Sequence, residues 1–298
     1  MANKDRLILV TGASGQQGGA VARHLLAHGF SIRAFVHAGS THRTGVSVLA
    51  DAGAQVVEGD FDHAQSLDSA MADVYGVFSV QPSTDVEAEI RQGFAVADAA
   101  KKMGVLHFVY SSVGGAERDT GIPEFDSKWG IEEHIRAIQL PHTIFRPVSF
   151  YYNYDMPVYR TGILEGTLAT PLSPETTLQQ ISEEDYGEMV AAAFESPERF
   201  LDRSLEVASS EPSMLEVAEI FTRVLGREVK YRRLDFQTVN DKLGPGLARM
   251  LRWFEDVGYD ADIEALRKEF GTLTSLETYL RSHGWTGLEA GAEVHAPG

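Results

Sequence analysis

Leu7-Ile8-Leu9-Val10-Thr11-Gly12-Ala13-Ser14-Gly15-Gln16-Gln17-Gly18-Gly19-Ala20 decides how the rest of the chain is read. Four apolar residues predict a buried strand, the glycines a tight turn, and Val21, Leu25 and Leu26 the apolar side of a helix that follows. Glycine at 12, 15 and 18 lets the backbone turn sharply and approach a ligand with no Cβ in the way. The new helix directs its first N–H groups and the positive end of its dipole at the same place, which suits a phosphate. The spacing is G-x-x-G-x-x-G, not the commoner G-x-G-x-x-G. By itself such a motif is a weak signal that also fits a plain βα turn, so the rest of the chain must decide. The candidate ligand contacts here are Thr11, Gly12, Ser14, Gly15, Gln16, Gln17 and Gly18.

At 298 residues the chain is long enough for one large domain or two interlocked ones. It contains no cysteine, which removes disulfides, thiol nucleophiles and thiolate metal ligands and suits the reducing cytoplasm. The polar start, Met1-Ala2-Asn3-Lys4-Asp5-Arg6, leads straight into the first strand, so no signal peptide is expected. No apolar run approaches the ~20 residues of a membrane span. A formal net charge of −17 argues against direct nucleic-acid or acidic-membrane binding. The ten histidines are scattered without metal-ligand spacing, and His24 and His28 read as surface or packing residues, so no metal is expected.

Working outward, Phe30–Val36, Gln55–Glu58, Val74–Val80, His107–Ser111 and Thr143–Arg146 are short apolar strands alternating with helical stretches, one of them over about Val86–Met103. That alternation predicts an α/β fold, a doubly wound parallel sheet covered on both faces. Such sheets bind ligands beyond the carboxyl ends of their strands. A site for NAD places an acidic residue at the end of the second strand, to bond the ribose hydroxyls. Here His37 stands there, Arg33 lies in the strand, the loop continues through Ser40, Thr41, His42 and Arg43, and no carboxylate follows until Asp51. Hydroxyls with basic side chains suit a 2′-phosphate, so NADP(H) is favoured and NAD(H) remains possible. After the third strand, Asp60 is placed to bond the adenine amine and Phe61 to lie against the ring, with Asp62 a candidate cap for a helix over Ala64–Met71. After the fourth strand, Val80, Gln81 and Pro82 open a loop at the crevice, where Pro82 ends the ladder.

The fifth strand ends in Ser111-Ser112, and Lys128 follows in Pro123-Glu124-Phe125-Asp126-Ser127-Lys128. With Asp126 or Ser127 as cap, a helix through Ile131, Ile135 and Ile138 would carry Lys128 in its first turn, where a cation opposes the helix dipole.

These pieces together, the Gly12–Gly18 turn, Gly59-Asp60-Phe61, Phe125-Asp126-Ser127-Lys128 and Phe145-Arg146-Pro147-Val148-Ser149-Phe150-Tyr151-Tyr152-Asn153, resemble the NmrA-like branch of the atypical short-chain dehydrogenase/reductase superfamily over roughly residues 5–285. The resemblance implies an NAD(P)-binding Rossmann domain over 1–150, completed by about 178–209. It implies a smaller domain, 151–177 and 210–286, that closes over the nicotinamide end, and leaves 287–298 as a tail. It matches Lys128 to the lysine that contacts the nicotinamide ribose, Phe150, Tyr151, Tyr152 and Asn153 to the loop beside the nicotinamide, and His37 to a position where many members carry an arginine for the 2′-phosphate. Catalytic short-chain dehydrogenases use Tyr-x-x-x-Lys, the lysine lowering the tyrosine pKa. Glu124 stands where that tyrosine would be, and a carboxylate needs a raised pKa to do its work. Tyr151, Tyr152 and Tyr154 are phenols near in sequence, read first as aromatic packing.

Beyond Tyr151, Gly162–Gln179 reads as a loop with a short strand, Ser182 as the cap of a helix through Phe194, and Arg203–Ala208 as a strand returning to the main sheet. Ser213-Met214-Leu215-Glu216 has capping-box spacing before a helix that Gly226 stops. Glu228–Arg233 reads as a strand and 236–283 as helical, with Trp253, Phe254, Tyr259, Phe270, Tyr279 and Trp285 as core. The expected function is an NAD(P)H-dependent reductase of quinone-like or other small carbonyl acceptors, with Lys128 the candidate catalytic residue. The alternative is a non-catalytic NADP(H) redox sensor acting through a regulatory protein partner, which Glu124 favours.

Overall fold

The first six apolar runs form strands β1 (Leu7–Val10), β2 (Ser31–His37), β3 (Gln55–Gly59), β4 (Gly76–Ser79), β5 (His107–Ser111) and β6 (His142–Pro147). Between them lie helices α1 (Gln16–Ala27), α2 (Thr44–Asp51), α3 (Ala64–Ala70), α4 (Val86–Lys102) and α5 (Pro123–Ala137). Then follow β7 (Ser149–Phe150), α6 (Pro157–Leu164), β8 (Thr167–Thr170), β9 (Gln180–Ile181), α7 (Glu183–Glu195), α8 (Pro197–Phe200) and β10 (Arg203–Val207). The chain continues through α9 (Met214–Leu225), β11 (Lys230–Arg233), α10 (Phe236–Leu243), α11 (Pro245–Asp256), α12 (Ile263–Phe270) and α13 (Leu276–Ser282). The computed structural model describes residues 2–41, 44–82 and 85–289, so Arg43, the Ser83-Thr84 dipeptide and most of the expected tail lie outside the described residues. The chain divides into a first unit, Met1–Pro147 with Glu183–Leu205, and a second, Val148–Ser182 with Glu206–Pro297.

The first unit is built on a seven-stranded sheet in the order β10-β6-β5-β4-β1-β2-β3, with β3 through β6 pairing in parallel. Alternating side chains sort onto two faces. Leu9, Val77, Phe108, Tyr110 and Ile144 pack with Leu67 of α3, Val96 and Ala97 of α4, and Ile131 and Ile135 of α5. On the other face, Phe78 and Phe145 meet Tyr186 of α7 with ring centroids 6.2 and 6.1 Å apart, and His107 meets Phe194 at 5.0 Å. Complete burial of each such aromatic stabilises the fold by roughly 1.5–3 kcal/mol. Small residues let α1 and α7 lie close: a Cβ on Gly187 would come within 3.0 Å of the Ala20 carbonyl. The sequence order reverses between β1 and β4, which makes the gap beyond their carboxyl ends the ligand crevice of a doubly wound sheet.

The second unit holds two small parallel pairs, β7 with β9 and β8 with β11. Its helix α9 has the capping box Ser213–Glu216 at its start and Gly226 at φ 69° after its end. One face of α9 buries Met214, Val217, Phe221 and Val224, and Phe221 packs on Trp285 at 5.0 Å. Asp235, Asp262 and Ser275 cap three of the four short helices that follow.

Local expectations differ from the structure at four places. Helix α5 starts at Pro123, in the N1 position that suits its missing N–H, so Asp126 and Ser127 are not caps and Lys128 sits in the second turn. His63, not Asp62, precedes α3 as its N-cap residue. Helix α6 stands partly where a loop is expected, again opened by a proline. Trp253, Phe254, Tyr279 and Trp285 are buried, whereas Tyr259 and Phe270 are half-buried at the edge of the helical layer.

Candidate functional site

The turn after β1 is built around space that only glycine leaves. Gly12 has φ 60°, and a Cβ on it would lie 2.8 Å from Cγ1 of Val80. A Cβ on Gly18 would lie 2.4 Å from the Gly12 carbonyl oxygen, so the first turn of α1 rests directly on the backbone of the loop. Thr11 fixes the switch point. Its hydroxyl accepts the Val80 N–H at 2.8 Å and donates to the Val80 carbonyl at 3.0 Å, tying the ends of β1 and β4 together. Gly15 is the N-cap of α1, no side chain caps that helix and no acid stands in its first turn, in contrast to α4, α9, α12 and α13, which have both. The donors and dipole at this end therefore face the crevice without a built-in acceptor, as a phosphate requires. Ser111, at the end of β5, donates to Oε1 of Gln17 at 2.9 Å and brings a third strand end to the same place. Gln81 is buried after β4; its amide nitrogen donates to Ser79 Oγ at 2.8 Å, while its Oε1 has no partner among the described residues. An orphaned amide oxygen beside the crevice suits a ribose hydroxyl or a carboxamide N–H. Tested on the glycine cradle, the uncapped helix and this oxygen, the residues present fit a dinucleotide.

The β2–β3 side divides its candidates. His37 ends β2, exposed, with Nδ1 donating to the Ala38 carbonyl at 3.0 Å, which leaves Nε2 for a ligand. Arg33 corrects the sequence reading. It pairs with Leu9 and Gln55 toward the other end of the strand, and its guanidinium donates to the Ala70 and Ala72 carbonyls at 2.7 and 2.8 Å, closing the end of α3. A carboxylate reaches this loop from β3: Glu58 Oε1 accepts the Gly39 N–H and the Thr41 hydroxyl, both at 3.2 Å. Asp60 accepts the Asp62 N–H at 2.9 Å and Phe61 lies on Phe35 at 5.4 Å. Asp62 binds Arg91 at 2.8 Å and Gln92 at 3.0 Å, and the Arg91 bond holds its carboxyl below the usual range.

Beside β5 and β6 lies a set of buried charges. Glu89 of α4, 1 % exposed, pairs with the Lys128 ammonium and accepts the Ser127 hydroxyl at 2.5 Å. Glu132 is buried too; it takes Ser112 at 2.6 Å, Arg146 at 2.9 and 2.8 Å, and Arg136 at 2.7 Å. The Tyr110 hydroxyl is buried without a partner among the described residues, and burial pushes its pKa well up, with Glu89 and Glu132 adding to the effect. Glu124, one turn before Lys128, has Oε2 buried and likewise unpartnered. The sequence carried one usable sign of Glu89: it shares the buried face of α4 with Gly93, Val96, Ala97 and Ala100, and an acid on an apolar stripe demands a partner.

Five of the residues singled out in the sequence belong to the second unit. Phe150 is buried and stacks on half-buried Tyr152 at 4.9 Å. Asn153 Nδ2 donates to Ser149 Oγ at 3.1 Å. Tyr151 is wholly buried, its hydroxyl bonded to Ser210 at 2.7 Å and Thr274 at 2.9 Å, so its phenol is committed inside the unit. Tyr154 is committed likewise, accepting Gln180 Nε2 at 2.8 Å, and burial raises its pKa.

On the first unit, His24 binds Glu188 at 2.9 Å and Glu184 at 2.8 Å, and His28 binds Glu188 at 3.0 Å, a ladder between α1 and α7. Among the described residues no helix is long and apolar enough to cross a membrane.

The model of the NmrA-like family matches residues 4–281. The NmrA-like family domain-containing oxidoreductase malD of Malbranchea aurantiaca is 28 % identical over 260 residues, 77 % of this chain and 76 % of its own length. The triphenylmethane reductase of Citrobacter sp., solved complexed with NADP(H), superposes with a TM-score of 0.78 at 23 % identity, over 95 % of this chain and 100 % of that one. NmrA, a negative transcriptional regulator solved in complex with NADP, superposes at 0.77 with 22 % identity, over 93 % and 94 %.

Proposed function

This chain belongs to the NmrA-like family, and from that premise we propose that it is a cytoplasmic NADP(H)-binding reductase, with NAD(H) as a second ligand. The observation that carries the reading is the uncapped start of α1 over Gly12, Gly15 and Gly18 at the switch point of the sheet. The cofactors bound by the triphenylmethane reductase and by NmrA support it. In this reading Thr11, Ser14, Gln16 and Gln17 line the pyrophosphate turn, and His37 and Arg43 meet the adenosine ribose and its 2′-phosphate. Asp60 and Phe61 hold the adenine, and Val80, Gln81, Pro82 and Ser111 lie toward the nicotinamide ribose.

When bound, the reduced nicotinamide supplies the hydride. The chain's own contribution is to bind and orient. Lys128, steadied by Glu89, holds the ribose and lends positive field to charge that develops on an acceptor. Glu124 stands where the Tyr-x-x-x-Lys pattern has its tyrosine, so that position supplies no phenol to deliver a proton. A quinone-like acceptor suits that arrangement, because its reduced form takes protons from water, whereas a simple ketone needs a positioned acid. The same residue favours the second reading, a sensor that binds NADP(H) and reports to a protein partner without turnover.

The test is NADPH oxidation by the purified protein with quinones, aldehydes and enones. Oxidation with quinones supports the reductase. Tight NADPH binding with no oxidation removes it in favour of the sensor, which in turn requires different affinities for NADPH and NADP⁺.

A further inference from the structure

Parallel pairing sets Val36 beside Glu58 and His37 beside Gly59, so the ends of β2 and β3 lie together at the edge of the crevice. The approach is close enough that a Cβ on Gly59 would run into the ring of Phe35 on β2. From this position the exposed Glu58 carboxylate reaches across to the loop after β2 and holds the Gly39 N–H and the Thr41 hydroxyl on one oxygen, Oε1, at 3.2 Å each. In dinucleotide sites the end of the second strand is where the adenosine ribose is read, by a carboxylate on its hydroxyls or by donors on a 2′-phosphate.

Resting on the NADP(H)-binding reading, we propose that Glu58 is a specificity-determining residue that restrains 2′-phosphate binding and so keeps NAD(H) in competition with NADP(H). Two effects act in the same direction. Glu58 occupies a backbone N–H and a hydroxyl of the kind that bind phosphate oxygens. It also places a negative charge where a phosphate would stand, and a singly charged group about 5 Å from a phosphate dianion in water weakens binding roughly tenfold. A ribose with free hydroxyls carries no charge there and meets no such opposition.

The experiment compares the binding of 2′,5′-ADP and 5′-AMP, which differ in the 2′-phosphate, to the wild type, Glu58→Gln and Glu58→Ala by titration calorimetry, with NADPH and NADH as a second pair. Glu58→Gln keeps an acceptor of the same shape for Gly39 and Thr41 and removes only the charge. The expected result is a rise of about tenfold in the preference for 2′,5′-ADP, with 5′-AMP affinity unchanged within about twofold. Glu58→Ala frees both donors as well and is expected to raise the preference at least as far. An unchanged or reduced preference overturns the proposal, in whichever direction the two affinities move together, because Glu58 then merely shapes the loop. A wild type that binds none of the four nucleotides overturns the dinucleotide reading itself.

Discussion

The ammonium of Lys128 is paired with the carboxylate of Glu89, thirty-nine residues earlier, and the acid is the more deeply buried partner at 1 % side-chain exposure against 15 %. A buried carboxylate left unpaired is costlier than a partly exposed ammonium left unpaired. Lys128→Met is therefore expected to destabilise the protein by about 3 kcal/mol, and Glu89→Gln by less, on the scale of a broken buried pair. Combining them should recover part of the loss. Urea denaturation of the two single variants and the double variant checks the order. Additive losses would mean that the two groups do not act as a pair.

The glycine turn makes a sharper prediction. Gly18→Ala drives a methyl against the Gly12 carbonyl, 2.4 Å away, and Gly12→Ala adds both a contact with Val80 and a strained φ of 60°. Each is expected to weaken NADPH binding by more than about a hundredfold, because the loop must move away from the position that serves the phosphate. Gly29→Ala is the control: it also has positive φ but nothing within 4 Å. It should cost stability and leave affinity alone, as fluorescence titration against thermal melts would show.

Two histidines of the first unit give stability opposite dependences on pH. Burial pushes His107 down to about 3, and its Nε2 meets the Thr143 hydroxyl at 2.8 Å. Because that hydroxyl donates to the Phe200 carbonyl, Nε2 carries the proton. The folded pKa lies below the unfolded value of 6.5, so the contribution is complete above 6.5 and is lost as pH falls toward 3. At ~1.4 kcal/mol per unit this approaches about 5 kcal/mol over the whole range. His24 runs the other way. The Glu184 bond raises it above 6.5, so its contribution is complete below 6.5 and is lost as pH rises through the raised value. Glu184, lowered to about 2 by the same bond, contributes above 4.5 and loses that as pH falls. His107→Gln should flatten the loss of stability between pH 6.5 and 4, and His24→Gln should flatten a loss above pH 6.5, both read from urea midpoints.

These residues also mark what the sequence could reveal. The Ser213–Glu216 box and the Gly226 stop are local, set within one helix, and were legible as they stand. The strand alternation was equally legible, because burial on both faces of a parallel sheet writes itself as short apolar runs. Helix α5 was misplaced at its start because Pro123, Asp126 and Ser127 all carry N-terminal signals, and local chemistry does not rank them. The partners of Glu58, Arg33 and Glu89 were out of reach for another reason. They lie 17–19, 22–39 and 38–39 residues away, fixed by strand register and helix packing that only the assembled fold supplies.

Glu124 offers the last and most direct separation of reduction from sensing. It lies in the first turn of α5, four residues before Lys128, with Oε2 buried and unpartnered among the described residues. If hydride transfer to quinone-like acceptors relies on water for protons, Glu124→Gln should leave that rate within about twofold, for it removes charge and keeps shape. Glu124→Tyr restores the Tyr-x-x-x-Lys pattern on the same helix face. It is expected to add measurable reduction of aldehydes or ketones, which need a general acid worth ~10²–10⁴ in rate. A fall of more than about tenfold in quinone reduction for Glu124→Gln, with a lost limb in the pH–rate profile, would place the carboxyl in the proton path instead. Steady-state rates of NADPH oxidation across pH 5–9 for the three proteins distinguish these outcomes, and NADPH affinity measured alongside shows whether the variant still binds the cofactor.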